Sequence, residues 1–123
     1  MMKARLHSHR FLLVLFFGLI SSLSAQVPEW IWHNQNAADD EVRYFRKEFA
    51  VFGVVAKATL TIAADNQVTA YLNGKKVGSS DDWNAPSQVD LTKELKPGQN
   101  VLAAQARNES GIAALLADRK SVV

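Results

Sequence analysis

The stretch Ser79-Ser-Asp-Asp-Trp-Asn-Ala-Pro-Ser87 sets two carboxylates and an amide around an indole. Asp81, Asp82 and Asn84 can hydrogen-bond hydroxyl groups, and Trp83 offers a flat apolar face, the combination that holds a sugar ring. Glycoside hydrolysis fits less well. It needs two carboxyl groups flanking the scissile bond, roughly 5–9 Å apart, one of them with a raised pKa. Asp81 and Asp82 are chain neighbours that point apart in an extended loop, with only Trp83 nearby to exclude water. Two roles are open to Trp83: a platform for a ligand, or an anchor that buries the loop. Tryptophan is usually mostly buried, which favours the anchor.

The other candidates are weaker. Asp39-Asp40-Glu41 supplies hard oxygen ligands, but calcium takes six or more oxygens from several loops, and no EF-hand spacing is present. No metal or cofactor is expected. Of three histidines, His7 and His9 lie in the leader described below, and His33 is left alone beside Trp30 and Trp32. A lone imidazole there is expected to be a hydrogen-bonded surface or edge residue rather than a ligand or base. No serine sits in a nucleophile-elbow context. With no cysteine in the chain, thiol nucleophiles, thiolate zinc sites and a lipid-modified N-terminal cysteine are excluded. The segment is expected to be non-catalytic.

Asn73-Gly74-Lys75-Lys76 suggests a phosphate loop. A phosphate cradle, however, needs a glycine-rich turn leading into a helix N-terminus. Asn-Gly between alternating segments fits instead a two-residue type I′ hairpin turn, whose central positions both need positive φ. The two lysines then fall on opposite faces of a strand.

These residues must be held by something, and the chain has room for one domain in 123 residues. Residues 1–25 are expected to be outside it. Lys3, Arg5 and Arg10 precede the apolar run Phe11–Ile20, and Ser21-Ser-Leu-Ser-Ala25 follows. That is the pattern of a secretory signal peptide cleaved after Ala25, and the run is about half the ~20 residues a membrane span needs. The exported chain is then expected in the periplasm or outside the cell, with no membrane partner. The formal charge is +2 from 14 basic and 12 acidic residues. Losing the three leader cations leaves eleven against twelve, a net of −1, so the basic pI gives no argument for nucleic acid.

From residue 26 onward the pattern is β throughout. An opening segment, residues 26–41, carries Trp30-Ile31-Trp32 and then turns polar. Val42–Val51 alternates, with Phe45, Lys47, Phe49 and Val51 on one face and Tyr44, Arg46 and Glu48 on the other. Val54–Ala64 alternates through Ala58, Leu60, Ile62 and Ala64. Asp65-Asn66 reads as a turn pair. Gln67–Leu72 alternates up to Asn73-Gly74, and Lys75–Gly78 returns. Ser79–Pro86 is the polar loop, and Val89–Thr92 is a short extended piece. Pro97-Gly98 fits the centre of a type II turn. Asn100–Arg107 and Gly111–Ala117 are the last expected strands, joined by a turn at Glu109-Ser110-Gly111. Short strands with turn signals about every ten residues imply an antiparallel β-sandwich over residues 42–117.

Taken in order, WIW, YFRKEF, ATLTIAADNQVTAYLNGKKVG, a tryptophan-bearing loop, VDLTKELKPGQNVLAAQARN and GIAALLA resemble the galactose-binding-like jelly-roll modules. The resemblance is strongest to the sandwich modules near the N-terminus of bacterial α-L-rhamnosidases and β-galactosidases. It covers roughly Trp30 to Ala117. It implies a non-catalytic module of a larger secreted carbohydrate-active protein, either binding glycan or packing as an architectural, protein-interaction sandwich against an adjacent domain. Such modules continue past the GIAALLA strand, whereas this chain ends in Asp118-Arg-Lys-Ser-Val-Val123. That hexapeptide is what the start of a widely used sequencing adapter encodes ahead of an in-frame stop. Residues 118–123 are therefore expected to be a non-native tail, the natural protein to be longer, and the module to lack its last strand or strands.

Overall fold

The computed structural model describes residues 30–32 and 36–123. The leader and its cleavage point, and His33, lie outside the described residues. Seven strands form: β1 (Glu41–Val51), β2 (Lys57–Asp65), β3 (Gln67–Leu72), β4 (Lys75–Ser80), β5 (Ser87–Asp90), β6 (Gly98–Asn108) and β7 (Ala114–Val122). They build a four-stranded sheet in the order β1-β6-β3-β4 and a three-stranded sheet in the order β5-β2-β7. Every named pairing is antiparallel. The fold is the all-β sandwich that the alternation implies.

The core lies where the alternating faces meet. Leu60 and Ile62 of β2 face Val68, Ala70 and Leu72 of β3 and Ala104 and Ala106 of β6, all buried. Leu115 closes one side and Leu91 and Leu95 the other. β1 keeps the expected phase: Val51 is buried, Phe45 and Phe49 pack partly against the core, and Tyr44 stands 77% exposed. Truncating a fully buried leucine such as Leu60 costs about 2–5 kcal/mol in cores of this kind.

The turn chemistry holds at Asn73-Gly74, with φ of 50° and 83° and Leu72 paired to Lys75 across it. Gly98 has φ 88°, the conformation that the third residue of a type II turn requires. Asp65-Asn66 does turn the chain, but it carries it from one sheet to the other rather than folding a hairpin. The Asn66 amide N–H donates to the carbonyl of Arg107 at 2.9 Å, and its Oδ1 accepts from the Glu109 N–H at 2.7 Å. Among the described strands only β3–β4 is a hairpin within one sheet; every other consecutive pair crosses between sheets.

Several boundaries depart from expectation: β2 begins at Lys57 rather than Val54, and β5 spans Ser87–Asp90 rather than Val89–Thr92. β4 runs on through Ser79 and Ser80, because a bulge opposite Ala70 and Tyr71 lets Gly78, Ser79 and Ser80 pair with Ala70, Thr69 and Val68. β7 begins at Ala114 rather than Gly111 and does not stop at Ala117. Asp118–Val122 pairs with Lys57–Thr61 of β2. The nine residues of β2 present backbone donors and acceptors along their whole length, and ladder pairing is indifferent to the polarity of the side chains.

Candidate functional site

The polar loop between β4 and β5, residues 81–86, sits at the end of the sandwich shared with the β2–β3 corner and the β6–β7 connection. Asp82 makes it a defined turn. Its Oδ1 accepts from the Asn84 N–H at 2.8 Å, its carbonyl accepts from the Ala85 N–H at 3.3 Å, and Ser80 Oγ donates to the same carbonyl at 3.3 Å. A short carboxylate bracing the amide two residues on is an Asx turn. Asp82 is thus spent on shaping the loop.

The brace presents Trp83. Its side chain is 53% exposed, so the anchoring role expected of it is overturned: six loop residues fold around an Asx turn without needing an apolar anchor. Asn84 is also exposed. Asp81 points elsewhere, into a shallow cleft of about 310 Å³ on the outer face of β3 and β4 with Gln67, Thr69, Lys76 and Ser79. The four nominated residues therefore share one loop but not one pocket.

The opening tryptophans behave differently from each other. Trp32 packs against the core and meets Phe45 with ring centroids 5.8 Å apart and tilted by 54°. Trp30 remains 45% exposed, so of the two it is Trp32 that packs the opening segment onto the sandwich. The Nε1 of Trp32 is buried without a hydrogen-bond partner among the described residues.

Around the loop, the same end is tied by polar contacts that the sequence did not reveal. Arg107 donates to Asp40 at 2.6 Å, which holds the guanidinium pKa above its ordinary value. Gln67 donates to Glu109 at 2.9 Å. Asn108 is fully buried and donates through Nδ2 to the carbonyls of Ala38 at 3.1 Å and Gly111 at 3.4 Å, tying the segment before β1 to the one after β6. Glu41 accepts from the Ala38 N–H and from Arg43, so Asp40 and Glu41 of the acidic run are engaged in local structure. Among the described residues no group of three or more acidic or histidine side chains is arranged to hold a metal. Tyr44, level with Gln105 and Thr69 on the outer face of the larger sheet, is another exposed aromatic; its phase on β1 was the signal for it.

Lys75 and Lys76 do not make an anion patch. Lys75 pairs with Glu94 at 3.0 Å, and Lys76 lies beside Asp81 in the outer cleft.

With the geometry in place, the likeness to known proteins falls into a consistent class. No family model matches the sequence. The chain is 29% identical over 102 residues to an α-L-rhamnosidase of Streptomyces avermitilis, an alignment that takes 75% of this chain and 10% of that one. The structure of the Streptomyces avermitilis enzyme complexed with L-rhamnose superposes with a TM-score of 0.67 at 27% identity, over 76% of this chain and 11% of the enzyme. The family GH78 rhamnosidase of Bacillus sp. GL1 gives 0.66 at 27% identity, over 75% and 11%. The apo lectin of Pleurotus ostreatus gives 0.64 at 31% identity, over 76% and 31%.

The fold is that of a galactose-binding-like sandwich module resembling those of α-L-rhamnosidases, a carbohydrate-related class. The chain spans about a tenth of the curated relative's length. No helix among the described residues is long and apolar enough to cross a membrane.

Proposed function

We propose that this chain is a non-catalytic, carbohydrate-binding module of a larger secreted bacterial carbohydrate-active protein, exported through residues 1–25. Glycan stacks on Trp83, with Asn84 taking hydroxyl groups beside it and Asp82 holding the turn. The observation that carries this reading is the exposed indole held out by the Asp82–Asn84 brace. Leaving a tryptophan half in water forgoes burial that would stabilise the fold, and a sugar face restores it. Hydrolysis, if the parent performs it, belongs to a separate domain of the parent.

The test is a panel of immobilised glycans that includes rhamnosyl and galactosyl termini. The expected result is retention of one class with micromolar-to-millimolar affinity, abolished by Trp83→Ala with an unchanged unfolding midpoint. One observation favours the architectural alternative, a sandwich that binds no sugar and packs on a neighbouring domain. Phe52 and Val54, at the end opposite Trp83, are 88% and 81% exposed, a small apolar patch suited to a protein contact. A panel without any retained glycan selects that reading.

A further inference from the structure

The turn at Asn73-Gly74 sets two groups side by side that can react with each other. A carboxamide followed by glycine can close into a ring when the next backbone nitrogen attacks the side-chain carbon, and glycine has no Cβ to hinder the attack. Asn73-Gly74 is the one such pair in the sequence. Nothing lies within 4 Å of where a Cβ on Gly74 would stand, and Asn73 is exposed to the water that completes the reaction. Neither sterics nor solvent access protects the pair.

The fold protects it in another way. Asn73 Oδ1 accepts from the Val101 N–H at 2.8 Å, and Nδ2 donates to Asn100 Oδ1 at 3.0 Å. Both ends of the carboxamide are thus held on β6 instead of turning back along the chain to the Gly74 nitrogen. Asn100 is fully buried and fixed in orientation. Its Oδ1 also accepts from the Lys96 N–H, and its Nδ2 donates to the carbonyls of Lys96 and Gly98. We propose that Asn73 is a site of hydrolytic self-modification that this clamp on Asn100 and Val101 holds shut in the folded chain, and that the modification, once made, prevents the clamp from closing again.

The Gly74 nitrogen gives up its proton and bonds to Asn73 Cγ. The Cγ–Nδ2 bond breaks and ammonia departs with that proton, leaving a succinimide ring. Water then opens the ring at either carbonyl, giving an aspartate or an isoaspartate whose backbone runs through the side-chain carbon. The balance is a water taken up and an ammonia released, with no oxidation or reduction. Ring closure needs a near-attack contact and removes Nδ2, so the bond to Asn100 has to give way. The aspartate product sets an acceptor oxygen against Asn100 Oδ1, where a donor stood. Turning the Asn100 amide round to meet it would strand the Lys96 N–H and the carbonyls of Lys96 and Gly98. The isoaspartate product lengthens the backbone inside a two-residue turn of fixed geometry. Local opening exposes the amide, and loss of the amide favours further opening. None of this depends on what Trp83 binds.

The test uses the full chain at mildly alkaline pH, folded and in urea, with the Asn73 peptide followed by mass spectrometry. Loss of the amide should be slower in the folded chain by about tenfold or more, the factor that 1.4 kcal/mol of protection supplies. Along a urea series the rate should rise in step with the unfolded fraction. Asn100→Ala, where its far-UV spectrum is that of the folded chain, should lose most of this protection. Asn73→Asp carries the product without the reaction. It should lower the urea midpoint even though aspartate tolerates positive φ as asparagine does. The proposal is overturned if the folded chain loses the amide as fast as the unfolded one. It is overturned equally if folded Asn100→Ala is as protected as the unaltered chain, or if Asn73→Asp leaves the midpoint unchanged. Should Asn100→Ala not fold, the urea series and Asn73→Asp decide between them.

Discussion

Asn73 Nδ2 donates to Oδ1 of the fully buried Asn100 at 3.0 Å, joining the β3–β4 hairpin to the turn that opens β6. Asn100 also accepts from the Lys96 N–H at 3.2 Å and donates to the carbonyls of Lys96 at 2.7 Å and Gly98 at 3.1 Å. Asn73 in turn accepts from the Val101 N–H at 2.8 Å. Asn73 thus binds the protein's own chain through its side chain and also through its N–H, which donates to the Val101 carbonyl at 2.8 Å.

Asn100→Ala should therefore be among the most damaging single changes outside the apolar core. It strands several buried polar groups, at about 1–3 kcal/mol for each one left unsatisfied. Urea unfolding should show a loss of roughly 3 kcal/mol. A loss within the ordinary surface range of about 0.5 kcal/mol would mean the bridge between the turns is not closed in solution.

Gly78 makes a second, steric prediction. A Cβ built there would lie 2.4 Å from Cγ2 of Val89 on β5, so the absent side chain is what lets the edges of the two sheets close. Gly78→Ala should cost about 1–3 kcal/mol by overpacking. Adding Val89→Ala should recover part of that loss, and strictly additive losses in a double-mutant cycle would contradict the contact.

Asp90 carries the pH signature. Hydrogen bonds from Thr92, side chain first and backbone N–H second, hold its pKa below the ordinary 3.8. A carboxyl depressed on folding contributes stability above its unfolded pKa, and that contribution fades as pH falls through the lower folded value. Thr92→Val should shift the Asp90 carboxyl titration, followed by NMR, back upward. An unchanged titration would remove the side-chain hydroxyl as the main cause.

How much of this could be read from residues alone divides along a physical line. Period-two alternation located β1, β2, β3 and β6 and their apolar faces, because each face is set locally by which side meets water. The turns at Asn73-Gly74 and Pro97-Gly98 were legible because positive φ restricts residue type. Pairing partners were not legible. Glu41 lies opposite Asn108 and Lys57 opposite Val122, and alternation says nothing about such distant choices. The same blindness hid the crossing at Asp65-Asn66, the continuation of β7 and the close approach that Gly78 permits. Of the nominated loop, residue types pointed to Trp83 but could not fix its exposure, since burial depends on whether the fold needs an anchor there. Asp82 looked like a ligand group and serves as a brace, because a carboxylate two residues before a free amide closes a turn wherever it occurs.

The most direct measurement of the central claim is the indole N–H spectrum during titration with rhamnosyl and galactosyl oligosaccharides. Trp30, Trp32 and Trp83 give three distinguishable reporters in one chain. The account predicts a saturable shift of the Trp83 resonance with Trp32, packed on Phe45, unmoved. Saturable binding that leaves Trp83 unchanged and moves residues elsewhere would contradict it.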